Sequence, residues 1–167
     1  MTRVYVPATL GMLQKLVDVG ELDAVGRTAF AVTAALREAY TSGDDDELAE
    51  AAMVEAARAS LRLLAAEPES GSFGSRRVVV AADVDDATPR PDLDDAVVRL
   101  GGAVPMSAVA SVHVDLSEAE DAVSRAAELV DAADLGDEEA EFALGDAEDH
   151  QLAWYATQEI PFLLQLL

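Results

Sequence analysis

Cysteine is absent from the 167-residue chain, which excludes disulfides, thiolate-bound metals and cysteine nucleophiles. Lysine occurs once, as Lys15, and tryptophan once, as Trp154; aromatic residues make up only 5% of the chain. The longest apolar stretches, Val78 to Ala82 and Phe30 to Leu36, fall well short of the roughly 18 residues that a bilayer crossing takes. No N-terminal stretch joins a basic region, an apolar run and a small-residue cleavage site, so the expected location is the cytoplasm. Motifs of familiar chemistry are missing as well: there is no Walker loop, no Gly-x-Gly-x-x-Gly, no nucleophile elbow and no His-Glu-x-x-His. Neither a cofactor nor a resident metal is expected, and the oligomeric state is left open.

Basic residues are the other scarcity. Eleven of them face 33 acids, for a formal charge of −22, and after residue 115 only Arg125 opposes 14 carboxylates. A chain this acidic is often disordered, but 51% apolar residues supply enough surface for a core. The field repels nucleic-acid phosphates and anionic membranes, because phosphate binding depends on lysine and arginine displacing counterions. It attracts a basic protein surface or a cation. Solubility alone is the plainest meaning of surface acid, and nucleic-acid mimicry is a specialised one. The 33 alanines and the near absence of lysine suit either a genome rich in G and C or a salt-adapted proteome.

Read along the chain, β-rich and helical patterns alternate. Arg3 to Pro7 predicts a strand, and Thr9 caps a helix running through Leu13, Leu16 and Val17; Thr28 to Val32 and Thr33 repeat the pattern ahead of Leu36. If the two strands pair in parallel, the crossover between them is right-handed. Asp44 to Glu47 start a long helix ending near Ala66 with Leu48, Ala52, Ala56, Ala59 and Leu63 on one stripe. Pro68 and residues 70–75 predict a loop. Arg76 to Val84 reads as a central strand buried on both faces, Pro89 and Pro91 mark a second loop, and Ala96 to Leu100 gives another strand. Pro105 opens a short helical segment, Ser111 to Leu116 alternates as a strand, Ser117 starts a helix, and further helices fill most of 137–166. The fold class is thus α/β (or α+β): one domain over 1–167, a mixed sheet of about five strands with helices packed on it, and an acidic helical C-terminal region at 117–167.

The segments RVYVPATL, AFAVTAALREAY, EAARASLRLLAA, RRVVVAADV, SVHVD and DAADLGDEEAEFALGDAEDHQLAWYATQEIPFLL together resemble an uncharacterised family of small acidic actinobacterial cytosolic proteins. The resemblance covers nearly the whole chain and is most specific from Asp131 to Leu164. It implies a bacterial cytosolic protein and carries over no catalytic residue.

Three clusters are candidates for chemistry. In SVHVD the period of two puts Ser111, His113 and Asp115 on one face, where a carboxylate orienting an imidazole serves a base or a metal ligand. A partly exposed strand histidine is the bland alternative. Asp83, Asp85 and Asp86 end an apolar strand, a place where open sheets gather ligand groups, although turns use the same residues. In DHQLAWYATQEIP, helical spacing predicts His150, Trp154 and Thr157 on one stripe and Gln151, Tyr155 and Glu159 on the next. The larger expectation for Trp154 is packing into the core from a C-terminal helix; the smaller is a binding surface of His150, Trp154, Tyr155 and Glu159. The functional expectation is a non-enzymatic acidic interaction or regulatory protein that binds a basic partner and neither nucleic acid nor membrane. The alternative is a small metal-assisted hydrolase or a ligand-binding module using His113, Asp115 and Asp83.

Overall fold

The computed structural model describes residues 1–40, 42–67 and 73–167; most of the loop expected over 68–75 lies outside them, and Phe73 to Ser75 form neither helix nor strand. Strand β1 (Thr2–Ala8) leads to α1 (Leu10–Val19), whose cap Thr9 accepts the Met12 N–H at 3.2 Å. Gly20 ends this helix at φ 88°, a left-handed conformation that glycine adopts without a Cβ penalty. A short strand β2 (Glu21–Leu22) precedes β3 (Thr28–Phe30), after which Thr33 accepts the Leu36 N–H at 3.0 Å and starts α2 (Ala34–Ala39). Asp44 caps the long α3 (Asp45–Ala66) through the Glu47 N–H, with acids filling the first turn where the helix dipole favours them. The remainder is β4 (Val78–Val84), β5 (Ala87–Pro89), β6 (Val97–Leu100), β7 (Val104–Pro105), β8 (Val109–Val114), α4 (Glu120–Asp134), α5 (Glu138–Glu148), β9 (Ala153–Ala156) and α6 (Ile160–Gln165).

Seven strands form the main sheet in the order β5-β6-β3-β1-β4-β8-β9, while β2 and β7 make a separate ribbon. All five expected strands are present, with β4 in the interior between β1 and β8; β5 and β9 extend the sheet at its two edges. Every pairing is antiparallel, so the sheet is not mixed. The reason lies after α1: residues 21–27 carry the chain back across the molecule in the β2 segment, so β3 enters beside β1 from the opposite end.

Side-chain alternation sorts the core. Val4, Val6, Val78, Val80, Val112 and Val114 point to one face, against Leu13 and Leu16 of α1 and Ile160, Leu163 and Leu164 of α6. Tyr5, Phe30, Val79, Ala81 and Val97 point to the other, against Leu36 of α2 and Leu48, Ala52, Ala56 and Ala57 of α3. A third cluster joins Leu61 of α3 to Val123, Ala126 and Val130 of α4 and Leu144 of α5. Helix α3 therefore buries two sides, which is why Ala57, Ser60 and Leu61 are buried while the expected Ala59 and Leu63 are only half-buried. Fully buried Ser60 ties α3 to the sheet: its hydroxyl donates to the Ala8 carbonyl at 2.7 Å and accepts the Val78 N–H at 3.0 Å.

Two expectations are corrected. Pro89 lies in a strand rather than a loop, tolerated because β5 is an edge. The C-terminal region holds α4, α5 and α6 but also β9, so His150, Trp154 and Thr157 do not share a helix. Pairing with β8 wins there: Val114↔Ala153, Val112↔Tyr155 and Ser111↔Ala156 stand opposite one another. Among the described residues no helix is long and apolar enough to cross a membrane.

Candidate functional site

A cleft of about 320 Å³ opens between α3, β8 and the connection from α5 to β9. Its lining includes Glu50, Met53, Val54 and Ala57 from α3, Arg77 just before β4, His113 from β8, Glu148 at the end of α5, and His150, Gln151 and Leu152 from the connection. The alternation of β8 sends Val112 and Val114 into the α1/α6 core and leaves Ser111 and His113 on the α3 side. The Ser111 hydroxyl and His113 Nε2 lie 3.1 Å apart, one donating to the other according to the imidazole tautomer. Burial lowers the His113 pKa and the nearby Arg3 guanidinium lowers it further, so the ring is neutral at neutral pH.

The cleft is fixed from beneath by an ion pair. Asp115 is fully buried, and its carboxylate accepts the Arg77 backbone N–H at 2.8 Å, Nε at 2.9 Å and Nη2 at 2.8 Å. Arg77 Nη2 also donates to the His150 carbonyl at 2.7 Å, and the Asp115 N–H donates to the Arg77 carbonyl at 3.1 Å. Arg77 thus pins the α5–β9 connection to the start of β4 and holds His150 at the wall. Paired carboxylate and bidentate guanidinium satisfy each other's hydrogen-bonding capacity in a dry environment.

The candidate residues separate accordingly. His113 and His150 meet in the cleft, while Asp115 lies below it, turned to Arg77 rather than to the imidazole. Asp83 stands on the surface paired with Arg3 at 2.7 Å, and that hydrogen bond holds its carboxyl below the usual range. Asp85 faces the N-terminal ammonium at 3.6 Å. Trp154 is 61% exposed, which overturns the packing expectation; it stands opposite His113 in the sheet, on the same face. Tyr155, one residue on, points the other way and packs against the α1/α6 core. Glu159 accepts the Ala156 N–H at 2.9 Å. The sequence reading missed Glu50, Met53, Val54, Arg77, Glu148 and Leu152. The signal for Arg77 was available, since a charged residue opening a buried strand needs a partner.

Charge is unevenly satisfied around the cleft. Among the described residues, eight of the ten arginines pair with carboxylates of the chain itself: Arg3, Arg27, Arg37, Arg58, Arg62, Arg76, Arg77 and Arg90. Glu50 and Glu148 take part in none of these pairs. Beyond Val54, a second recess of about 440 Å³ is bordered by Leu36, Tyr40, Glu55, Asp94 and Asp95. Burial and the nearby Asp94 raise the Glu55 pKa. A recess along α5 is larger, about 540 Å³, but a single helix with its trailing Asp149 supplies its lining, three helix carboxylates and that of Asp149 around Phe142, without an imidazole. Among the described residues no group of three or more His, Asp and Glu side chains is placed to hold a metal ion.

No curated protein and no solved structure shows significant similarity to the chain. A family profile, by contrast, matches residues 2–164, which run from β1 to α6 and include the whole cleft. The chain therefore belongs to the family of unknown function DUF6912.

Proposed function

We propose that the protein is a non-enzymatic interaction or regulatory protein of the cytoplasm, whose cleft receives a basic side chain of a protein partner. The observation behind this reading is the charge state of the cleft: among the described residues its only guanidinium, Arg77, is spent on Asp115 and the His150 carbonyl, whereas Glu50 and Glu148 have no cationic partner there. A lysine or arginine entering the cleft meets two carboxylates, apolar Met53, Val54 and Leu152 for its methylene stem, and a neutral His113 that adds no repulsion. The wider field of a −22 chain speeds encounter with a basic surface and makes the association salt-sensitive. It also opposes binding to nucleic acid and anionic lipid.

The test is a fluorescence-anisotropy titration of an arginine-rich peptide and of its citrulline counterpart, in low and high salt. The wild type should bind only the arginine peptide, more weakly as salt rises, and Glu50→Gln/Glu148→Gln should bind it about tenfold or more weakly. Equal affinity for both peptides, or for both proteins, rejects the reading. A hydrolytic reading has one observation in its favour, the contact of Ser111 with a neutral His113, which is how a base activates a hydroxyl. Fluorophosphonate labelling of Ser111 that disappears in His113→Ala is the result that would support it.

A further inference from the structure

The two edges of the sheet are built differently. On β5, the Arg90 N–H donates to the Val97 carbonyl and the Gly101 N–H to the Asp86 carbonyl, so residues 86 and 90 turn toward β6. Alternation then leaves Ala87 and Pro89 facing outward, and Pro89 has no N–H to offer. That edge is blocked, as exposed edges commonly are.

On β9 the same bookkeeping gives the opposite result. The Asp115 N–H bonds to the Arg77 carbonyl, so 111, 113 and 115 turn their backbone toward β4, and 112 and 114 turn toward β9. Their partners Tyr155 and Ala153 face β8, which leaves the main chains of Trp154 and Ala156 facing away from the sheet. Glu159 takes the Ala156 N–H, in keeping with this direction. The Trp154 N–H and C=O are left at an edge beyond which, among the described residues, no strand lies, with no proline or lysine in the strand to guard it. The exposed indole stands beside them on the cleft side of the sheet, opposite His113.

We propose that β9 receives an extended, basic segment of the partner by strand addition, with an arginine or lysine of that segment laid across Trp154 toward the cleft. The proposal rests on the reading that the partner is basic. In an antiparallel addition, a residue exchanging both hydrogen bonds with Trp154 projects its side chain on the same face as the indole. A cation there gains the ring face, and the mouth with Glu148 and Glu50 lies on that side of the sheet. Main-chain pairing supplies affinity and the side-chain position supplies specificity, as in other strand-addition complexes. Charge also argues against a second copy of the chain as the occupant, since each copy carries −22.

The experiment titrates the full chain with three short peptides: an alternating Arg/Val peptide, the same peptide N-methylated at alternate backbone positions, and the same peptide with citrulline for arginine. Trp154, the only tryptophan, reports binding through its own fluorescence. The unmodified peptide should change the emission and bind about tenfold or more tightly than either modified form. If the N-methylated peptide binds as well as the parent, strand addition is wrong while the basic-partner reading stands. If neither arginine peptide binds, both fail. Sedimentation that finds a salt-resistant dimer, dissociated by Trp154→Lys, overturns the proposal in favour of a second copy.

Discussion

Replacing Asp115 by asparagine tests the support of the cleft directly. The native carboxylate receives three hydrogen bonds from Arg77, and both side chains are almost wholly buried, at 0% and 4% exposure. Asparagine keeps the volume but removes the charge and one of the two acceptors, so a buried guanidinium is left without its counter-ion. Breaking a buried pair from one side costs about 3–5 kcal/mol, a large part of the roughly 5–15 kcal/mol that holds a domain together. With a urea slope near 2 kcal/mol/M, the unfolding midpoint should fall by about 2 M. The double replacement Arg77→Met/Asp115→Leu removes both charges and should recover part of that loss, the remainder being the Arg77 N–H and His150 carbonyl that it leaves without partners. Urea titrations of the three proteins, followed by circular dichroism, decide it. A loss below about 1 kcal/mol in Asp115→Asn, or a double variant as unstable as the single one, refutes the argument.

Four further outcomes follow from the same geometry. Ser60→Ala strands the Val78 N–H and the Ala8 carbonyl and should cost about 1–3 kcal/mol in the same assay. Trp154→Ala should change stability by no more than about 0.5 kcal/mol, and the native indole should already emit near the wavelength of the unfolded chain, because it is exposed. An NMR titration should place the His113 midpoint below its ordinary 6.5, with Arg3→Gln moving it part of the way back. The native state favours the neutral ring, so its contribution to stability is complete above about 6.5 and is lost as pH falls through the lowered midpoint. Glu55 has the opposite sense: its raised pKa means that the charged form costs stability as pH rises through the native midpoint. Glu55→Gln should therefore be more stable than wild type at neutral pH, an advantage that thermal melts should find gone below about pH 4.

Where local chemistry dictates structure, the sequence was readable. Thr9 and Thr33 are helix caps in the fold as in the sequence, the acidic run from Asp44 starts α3 as expected, and the apolar run of β4 marked an interior strand of the sheet. Strand β9 was not readable. Its residues Ala153 to Ala156 are too few for a period of two to stand out, and His150, Trp154 and Thr157 happen to match a helical spacing. Pairing with β8, nearly forty residues away in the chain, settles the matter, and no local propensity encodes that. The cleft was half legible for the same reason. His113 and His150 stood out as the only histidines, but Glu50 and Glu148 are ordinary surface acids until α3 and the α5–β9 connection bring them to the same opening.

The position of β1 has a consequence for the order of folding. It is the first strand of the chain and occupies the middle of the sheet, between β3 and β4. Its register with β4 runs from Thr2↔Val84 to Ala8↔Val78, so each of these contacts closes a loop of roughly 70–80 residues. During synthesis, β1 and β3 emerge long before β4, leaving Val4 and Val6 with an open strand edge while α1 can already form. The sheet cannot close until β4 arrives, and β8 and then β9 add only after that. Folding should thus be slow for the chain's length, with its nucleus in the β1–β4 pairing, and β9 should join the sheet only once β8 has paired with β4.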